Sequence, residues 1–178
     1  FASIGYTKNT TIGIHLELFG LAEMVVHGYE EEIDDSASIA EIKSHISPKR
    51  VYGINISGLG MFCRSCDVNG LSINGMMSVL TKSNGISISG LGNYAELMNG
   101  AQISVLLNSA VLMRGLQAAP GFNEVSYNSV GIQIGIKNHS KDHTGLQIGL
   151  LNKADKLKGL QVGLWNVNSK RKLPFINW

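Results

Sequence analysis

A short unit that opens on glycine recurs along most of the chain and constrains its fold more than any other feature. After each opening glycine, apolar residues alternate with small or polar ones, as in Gly145-Leu146-Gln147-Ile148-Gly149-Leu150. Successive units begin 14 to 17 residues apart. A fixed period of this kind is typical of repeat proteins, in which each unit stacks on its neighbours. The opening glycines are Gly53, Gly70, Gly85, Gly100, Gly115, Gly131, Gly145 and Gly159.

The alternation within a unit has the period of a β-strand, so its apolar residues lie on one face of that strand. A single strand cannot bury this face, whereas a coiled chain stacks the equivalent residues of successive units. The sequence therefore predicts an all-β protein, a single β-solenoid of about eight coils of 14–17 residues. The residues predicted to form the inward stack are Ile54, Leu71, Ile86, Ala101, Leu116, Ile132, Leu146 and Leu160.

Two columns of amide side chains accompany the apolar stack. The first is predicted to hydrogen-bond within itself and to the backbone of the bends, and consists of Asn93, Asn108, Asn123, Asn138, Asn152 and Asn166. The second, Gln102, Gln117, Gln133, Gln147 and Gln161, alternates with the apolar stack and is therefore predicted to point outward. Gln133, Gln147 and Gln161 become candidate partner-binding residues, in contact with protein or glycan.

Residues 1–50 do not follow the repeat and are predicted to form an N-terminal cap, because the open end of a solenoid has unpaired backbone groups. Within the cap, Thr11 to Leu18 alternate like a strand, and residues 36–46 have the composition of a short helix that stops before Pro48. Residues 51–178 form the solenoid, and its C-terminal cap begins at about residue 168.

The C-terminal cap combines a basic run with aromatic residues, Lys170, Arg171, Lys172, Phe175 and Trp178. Two interpretations stay open. Phe175 and Trp178 fold over the end of the core, or the basic-aromatic tail docks onto a partner or a lipid surface.

The chain shows none of the patterns that indicate catalysis or nucleic-acid binding. Net charge is +2 and charged residues make up 16%, which does not predict a nucleic-acid partner. Acidic residues of the repeat region share no column, histidines show no metal-ligand spacing, and no nucleophile or phosphate motif occurs. His139 and His143 are expected on an exposed bend. We therefore expect no enzyme, no cofactor and no metal.

The remaining indications concern the compartment. The chain begins at Phe1 rather than Met, as expected for a mature exported protein, and it lacks the twenty-residue apolar run of a transmembrane helix, which leaves peripheral membrane association open. Cys63 and Cys66 are expected to be a loop disulfide or two idle thiols, because two cysteines are too few for a four-cysteine zinc site.

The units Gly145-Leu146-Gln147-Ile148-Gly149-Leu150-Leu151-Asn152 and Gly159-Leu160-Gln161-Val162-Gly163-Leu164-Trp165-Asn166, followed by Leu173-Pro174-Phe175-Ile176-Asn177-Trp178, resemble an exported family of surface-repeat proteins from the Bacteroidota. The resemblance covers roughly the C-terminal two-thirds of the chain. It implies a place in the cell envelope, either periplasmic or associated with the outer membrane and cell surface, and it carries over no catalytic residue.

Two functional hypotheses follow. The first is a non-enzymatic structural or protein-interaction module of an envelope complex, and more specifically an accessory or plug subunit of the outer-membrane translocon of type IX secretion. The alternative is a carbohydrate-binding or carbohydrate-active β-helix, which the outward glutamines would serve.

Overall fold

The computed structural model describes residues 6–7, 10–17, 40 and 49–178, and in these it confirms the predicted β-solenoid. Eleven strands form one sheet, hydrogen-bonded in chain order. They are β1 (Tyr6–Thr7), β2 (Thr10–Glu17), β3 (Lys49–Ser57), β4 (Gly60–Asn74), β5 (Met77–Ser89), β6 (Gly92–Ser104), β7 (Leu107–Ala118), β8 (Phe122–Ile134), β9 (Lys137–Ile148), β10 (Leu151–Val167) and β11 (Lys172–Asn177).

Strands β2 to β10 run parallel and in register, so equivalent positions of successive coils lie directly above one another. Gly145 pairs with Gly131 on one side and with Gly159 on the other. The predicted stacking of units is therefore confirmed. Strand β2 joins the same ladder, with Gly13 paired to Gly53, so the ladder already includes a strand from the segment assigned to the N-terminal cap. Of the helix predicted over residues 36–46, the structure describes only Ala40.

The opening glycines make the bend in each long strand. Gly145 has a φ of 134°, a conformation that residues with a Cβ atom rarely adopt. A Cβ at Gly145 would also lie 2.0 Å from the carbonyl oxygen of Gly131 in the neighbouring coil. The recurrence of glycine at this column thus follows from both the backbone angle and the close approach of adjacent coils.

In the residues that follow each opening glycine, the strand face that points into the core is the opposite of the one that the sequence predicts. Gln133 is 0% exposed, whereas Ile132 and Ile134 on either side of it are 40% and 42% exposed. The inward assignment was therefore wrong: Ile54, Ile86, Ile132 and Leu160 are exposed, and Leu71, Ala101, Leu116 and Leu146 are only partly buried. In-register coils allow this inversion, because a buried amide finds a matching amide in the next coil and pays no unpaired-group penalty.

Apolar packing inside the coil comes mainly from the other half of each turn, before the opening glycine. One buried cluster contains Met98, Met113, Ala95, Ala110 and Val125. A second, nearer the N-terminus, contains Val51, Met61, Cys63, Cys66, Val68 and Leu80. The coils that hold these clusters thus have a mixed interior, whereas the buried side chains of β9 are all polar: Asn138, Ser140, His143 and Gln147.

The chain direction reverses at both ends of the parallel ladder. Strand β1 pairs antiparallel to β2, and β11 pairs antiparallel to β10. Within β11, Asn177 is fully buried beneath the last coil, whereas Phe175 is 68% exposed and Trp178 is 60% exposed. The expectation that Phe175 and Trp178 cover the core is therefore wrong, and Asn177 is the side chain that closes it.

Candidate interaction surface

The glutamine column forms a continuous ladder of amides inside the solenoid. From Gln117 onward, the Nε2 of each glutamine donates to the Oε1 of the previous one, at 3.0 Å for Gln117 to Gln102, 2.9 Å for Gln133 to Gln117, 2.6 Å for Gln147 to Gln133 and 2.7 Å for Gln161 to Gln147. Asn177 continues it, with Nδ2 donating to Gln161 at 3.0 Å.

Because this ladder is enclosed, three of the predicted partner-binding residues lose that role. Gln133, Gln147 and Gln161 are each 0% exposed, so no partner contacts them on the folded protein. A signal for this was present in the sequence. The glutamine column contains no Lys, Arg, Asp or Glu in five coils, whereas a solvent-facing polar column normally includes charged residues.

The asparagine column forms a second internal ladder, as predicted. Its members lie 2.8 to 3.0 Å apart, amide nitrogen to amide oxygen, from Asn93 to Asn166. Most also donate to a backbone carbonyl at the turn, for example Asn123 to Ile134 at 2.7 Å. These asparagines satisfy backbone groups that the tight turn would otherwise leave unpaired and buried.

The outward side of the opening segments is a continuous aliphatic surface, which we call the apolar face. It consists of the first and third residues after each opening glycine, together with the matching pair of β2. These residues are Ile14, Leu16, Ile54, Ile56, Leu71, Ile73, Ile86, Ile88, Ala101, Ile103, Leu116, Ala118, Ile132, Ile134, Leu146, Ile148, Leu160 and Val162. No charged or polar residue occurs among them.

The apolar face is comparable in area with the largest apolar patches of soluble monomers. With strands about 4.8 Å apart and about 3.3 Å per residue, nine strands and three residues per strand cover roughly 40 Å by 10 Å, or about 400 Å² in projection. The largest apolar patch of a typical monomer is about 300–600 Å² of accessible surface, and larger ones mark interaction sites. Protruding side chains make the accessible area of this face greater than its projection.

A shallow, open apolar groove crosses the C-terminal half of the face. One wall is the third-residue column, at Ile134, Ile148 and Val162, and the other is the next outward column, at Ile136, Leu150 and Leu164. Its floor is backbone, because Gly135, Gly149 and Gly163 stand between the walls, and Phe175 and Ile176 of β11 lie at its end. The groove has a volume of about 750 Å³ and almost wholly apolar walls.

The outward side of the other half of each coil is polar, and we call it the polar face. It carries exposed residues such as Glu124, Ser126, Lys141 and Lys153. Ion pairs cross between its coils, as between the Nζ of Lys156 and the Oδ2 of Asp142 at 3.5 Å. The solenoid is therefore amphipathic as a whole, with one aliphatic and one charged side.

The basic-aromatic tail is exposed, so it stays available to a partner. Lys170, Arg171 and Lys172 are all exposed. The Arg171 guanidinium lies 4.5 Å from the centre of the Trp178 ring, which is a cation–π distance. Phe175, at the end of the groove, joins the tail to the apolar face.

A serine–histidine contact lies inside the solenoid. The Nδ1 of His143 is 2.6 Å from the Oγ of Ser129, and both residues are almost completely buried. The expectation that His143 lies on an exposed bend was therefore wrong, whereas His139 is partly exposed beside Glu124. Burial lowers the pKa of His143 to about 4, so its ring is neutral at pH 7. Substrate cannot reach this pair, and its role is structural.

Cys63 and Cys66 are joined by a disulfide bond, so of the two expectations for them the disulfide holds. Both lie in the N-terminal apolar cluster and are nearly inaccessible. Within the part of the chain that the structure describes, no three His, Cys, Asp or Glu side chains come together as metal ligands. Among those same residues, no helix has the length and apolar character needed to cross a bilayer.

Comparison with protein-family models, with curated proteins and with solved structures finds no match for this chain.

Proposed function

We propose that this protein is a non-enzymatic structural and protein-interaction module of the bacterial cell envelope, which assembles through its apolar face. The observation that carries the proposal is the outward placement of two aliphatic residues in each of nine successive strands, most of them exposed and none interrupted by a charged residue. Exposed aliphatic area of this extent is unfavourable in water by roughly 25 cal/mol per Å², so a covered state is strongly favoured. Aliphatic side chains have no acid–base or nucleophilic chemistry, which favours binding over catalysis.

The rigidity of the solenoid suits such a role. Internal amide ladders and the parallel register hold the aliphatic columns in fixed positions, so little side-chain or backbone freedom is lost when a partner covers them. The resemblance of the GLQIGLxN-like units and of the tail to exported Bacteroidota repeat proteins supports the envelope as the compartment. It also supports the more specific proposal of an accessory or plug subunit of the type IX secretion translocon.

The alternative of a carbohydrate-binding β-helix is not carried further. It depended on an outward stripe of glutamines, and those side chains are inside the solenoid. The surface that replaces them is aliphatic and lacks the hydrogen-bonding groups that fix a sugar.

Site-specific photo-crosslinking in the producing cell tests the proposal. A photoreactive phenylalanine analogue at Ile132 on the apolar face should give a defined cross-linked product. The same analogue at Lys153 on the polar face, which is also exposed, should give little or none. Equal labelling at both positions, or no product at Ile132, would contradict assembly through this face. Mass spectrometry of the product identifies what covers it.

A further inference from the structure

We propose that the occupant of the apolar face is a second copy of this chain, so that the protein is a dimer with two aliphatic sheets packed face to face. This rests on the proposed function, because it names the partner of the same face. Three features of the face support a second copy: its repeat spacing, its groove and its lack of charge.

The spacing of the rungs is the first feature. In-register parallel coils place one aliphatic pair every 4.8 Å or so along the solenoid axis. A second copy has aliphatic pairs at the same spacing along its whole length. If the side chains of one coil interdigitate with those of the partner, the side chains of every other coil therefore do so too. This is how stacked sheets with identical ladders pack, about 10 Å apart with dry interdigitated side chains.

The groove is the second feature. Its wall at Ile134, Ile148 and Val162 is a ridge of the same length as the groove, standing beside a glycine floor. When two copies face each other about a two-fold axis, the ridge of each lies in the groove of the other. A surface with a ridge and a matching groove side by side is self-complementary, as an isologous interface requires.

Charge and area complete the case. The outward columns carry no charged residue, so two copies bring no like charges together, and the flanking column holds exposed Arg114 and Lys158 at the rim. An apolar centre with a polar rim is the usual anatomy of an interface. The projected area is about 400 Å² per copy, and the protruding side chains and the further apolar column at Ile136, Leu150 and Leu164 bring the accessible area closer to the roughly 800 Å² per partner that a stable dimer buries.

Sedimentation equilibrium in detergent-free buffer over a dilution series tests the dimer. Wild type should sediment at twice 19.2 kDa. The double variant Ile134→Lys/Ile148→Lys places two cations in the groove and should weaken dimerisation at least about 100-fold, since burying unpaired charge is costly. The control Ser126→Lys adds the same side chain to the polar face and should leave the dimer intact.

Circular dichroism separates lost dimerisation from lost folding, because the double variant should keep its strand spectrum as a monomer. Should it unfold, the single variant Ile88→Lys on another rung takes its place, with the same expectation of a folded monomer. A double variant that stays dimeric overturns the proposal.

A wild-type protein that sediments as a monomer also overturns the dimer. Vesicle flotation and the cross-link at Ile132 then identify what covers the apolar face. Flotation of that monomer with vesicles of phosphatidylethanolamine and phosphatidylglycerol points to lipid. A cross-link from Ile132 to a different protein contradicts the dimer but agrees with the proposed function. A wild-type dimer that gives no cross-link at Ile132 in cells contradicts the proposed function instead.

Discussion

Replacing Gln147 with alanine should destabilise the protein far more than replacing its neighbour Ile148. The Gln147 side chain is 0% exposed, donates to Gln133 at 2.6 Å and accepts from Gln161 at 2.7 Å. It also makes a weaker contact with a backbone carbonyl, that of Lys153, at 3.4 Å. Two to three hydrogen bonds worth about 1 kcal/mol each, plus the void left behind, give a loss of about 3–5 kcal/mol.

Ile148 is the matched control, because it lies on the next position of the same strand and points the other way. It is 38% exposed, so Ile148→Ala should cost only about 1 kcal/mol in the free monomer. Urea unfolding followed by circular dichroism gives both free energies. The two variants are compared at one low protein concentration, because a lost dimer contact would also lower apparent stability at Ile148.

The opposite ranking would refute the inverted core. If Ile148→Ala cost several kcal/mol and Gln147→Ala almost nothing, the aliphatic columns would be the interior and the amides the surface. The apolar face, and both proposals built on it, would then be lost together.

Two further outcomes follow from the buried histidine and the glycine bend. As pH falls, His143 takes up a proton near pH 6.5 when unfolded but only near pH 4 when folded, so stability should drop by about 3 kcal/mol between these values and stay flat above them. The urea midpoint should fall with pH in this way in wild type and in His139→Ala, but not in His143→Leu. If the midpoint of His143→Leu falls in the same way, His143 is not the source of the pH dependence. Gly145→Ala places a Cβ at a φ of 134° and 2.0 Å from a backbone oxygen, so we expect the free energy of unfolding to fall by at least about 3 kcal/mol. Thermal unfolding should show little change for the control Thr144→Ala, at an exposed position. Equal melting temperatures for the two variants would disprove the requirement for glycine.

The repeat was readable from sequence because its signals are local. The spacing of the opening glycines predicts coils, and the fixed offset of Asn93, Asn108 and Asn123 predicts a stacked column. Both follow from covalent geometry and the period of a strand. The strand predicted from alternation alone over Thr11 to Leu18 is observed over Thr10–Glu17.

The side of the strand that faces inward was not predictable from alternation, which separates two sets of residues without saying which is inside. Apolar burial normally decides the question, and for Ile132 and Gln133 it gave the wrong answer. What overrides it is a property of the stack: the Gln133 amide is satisfied only because Gln117 and Gln147 occupy the same position in adjacent coils. The burial of His143 was missed for a related reason, because its partner Ser129 lies in the coil below.

The reversed strands at both ends of the ladder have a consequence for how the protein behaves at high concentration. Every coil from β2 to β10 offers its neighbour an in-register template, the arrangement by which amyloid fibrils recruit new chains. Opposite Thr10 and Thr11 of β2 and opposite residues 161–167 of β10, a chain that arrives in the same direction meets a strand running the opposite way. In β11 that strand also contains Pro174, which has no amide hydrogen to donate. Along these parts of the two edges, the fold therefore combines in-register strand stacking with a block to the addition of a further parallel strand.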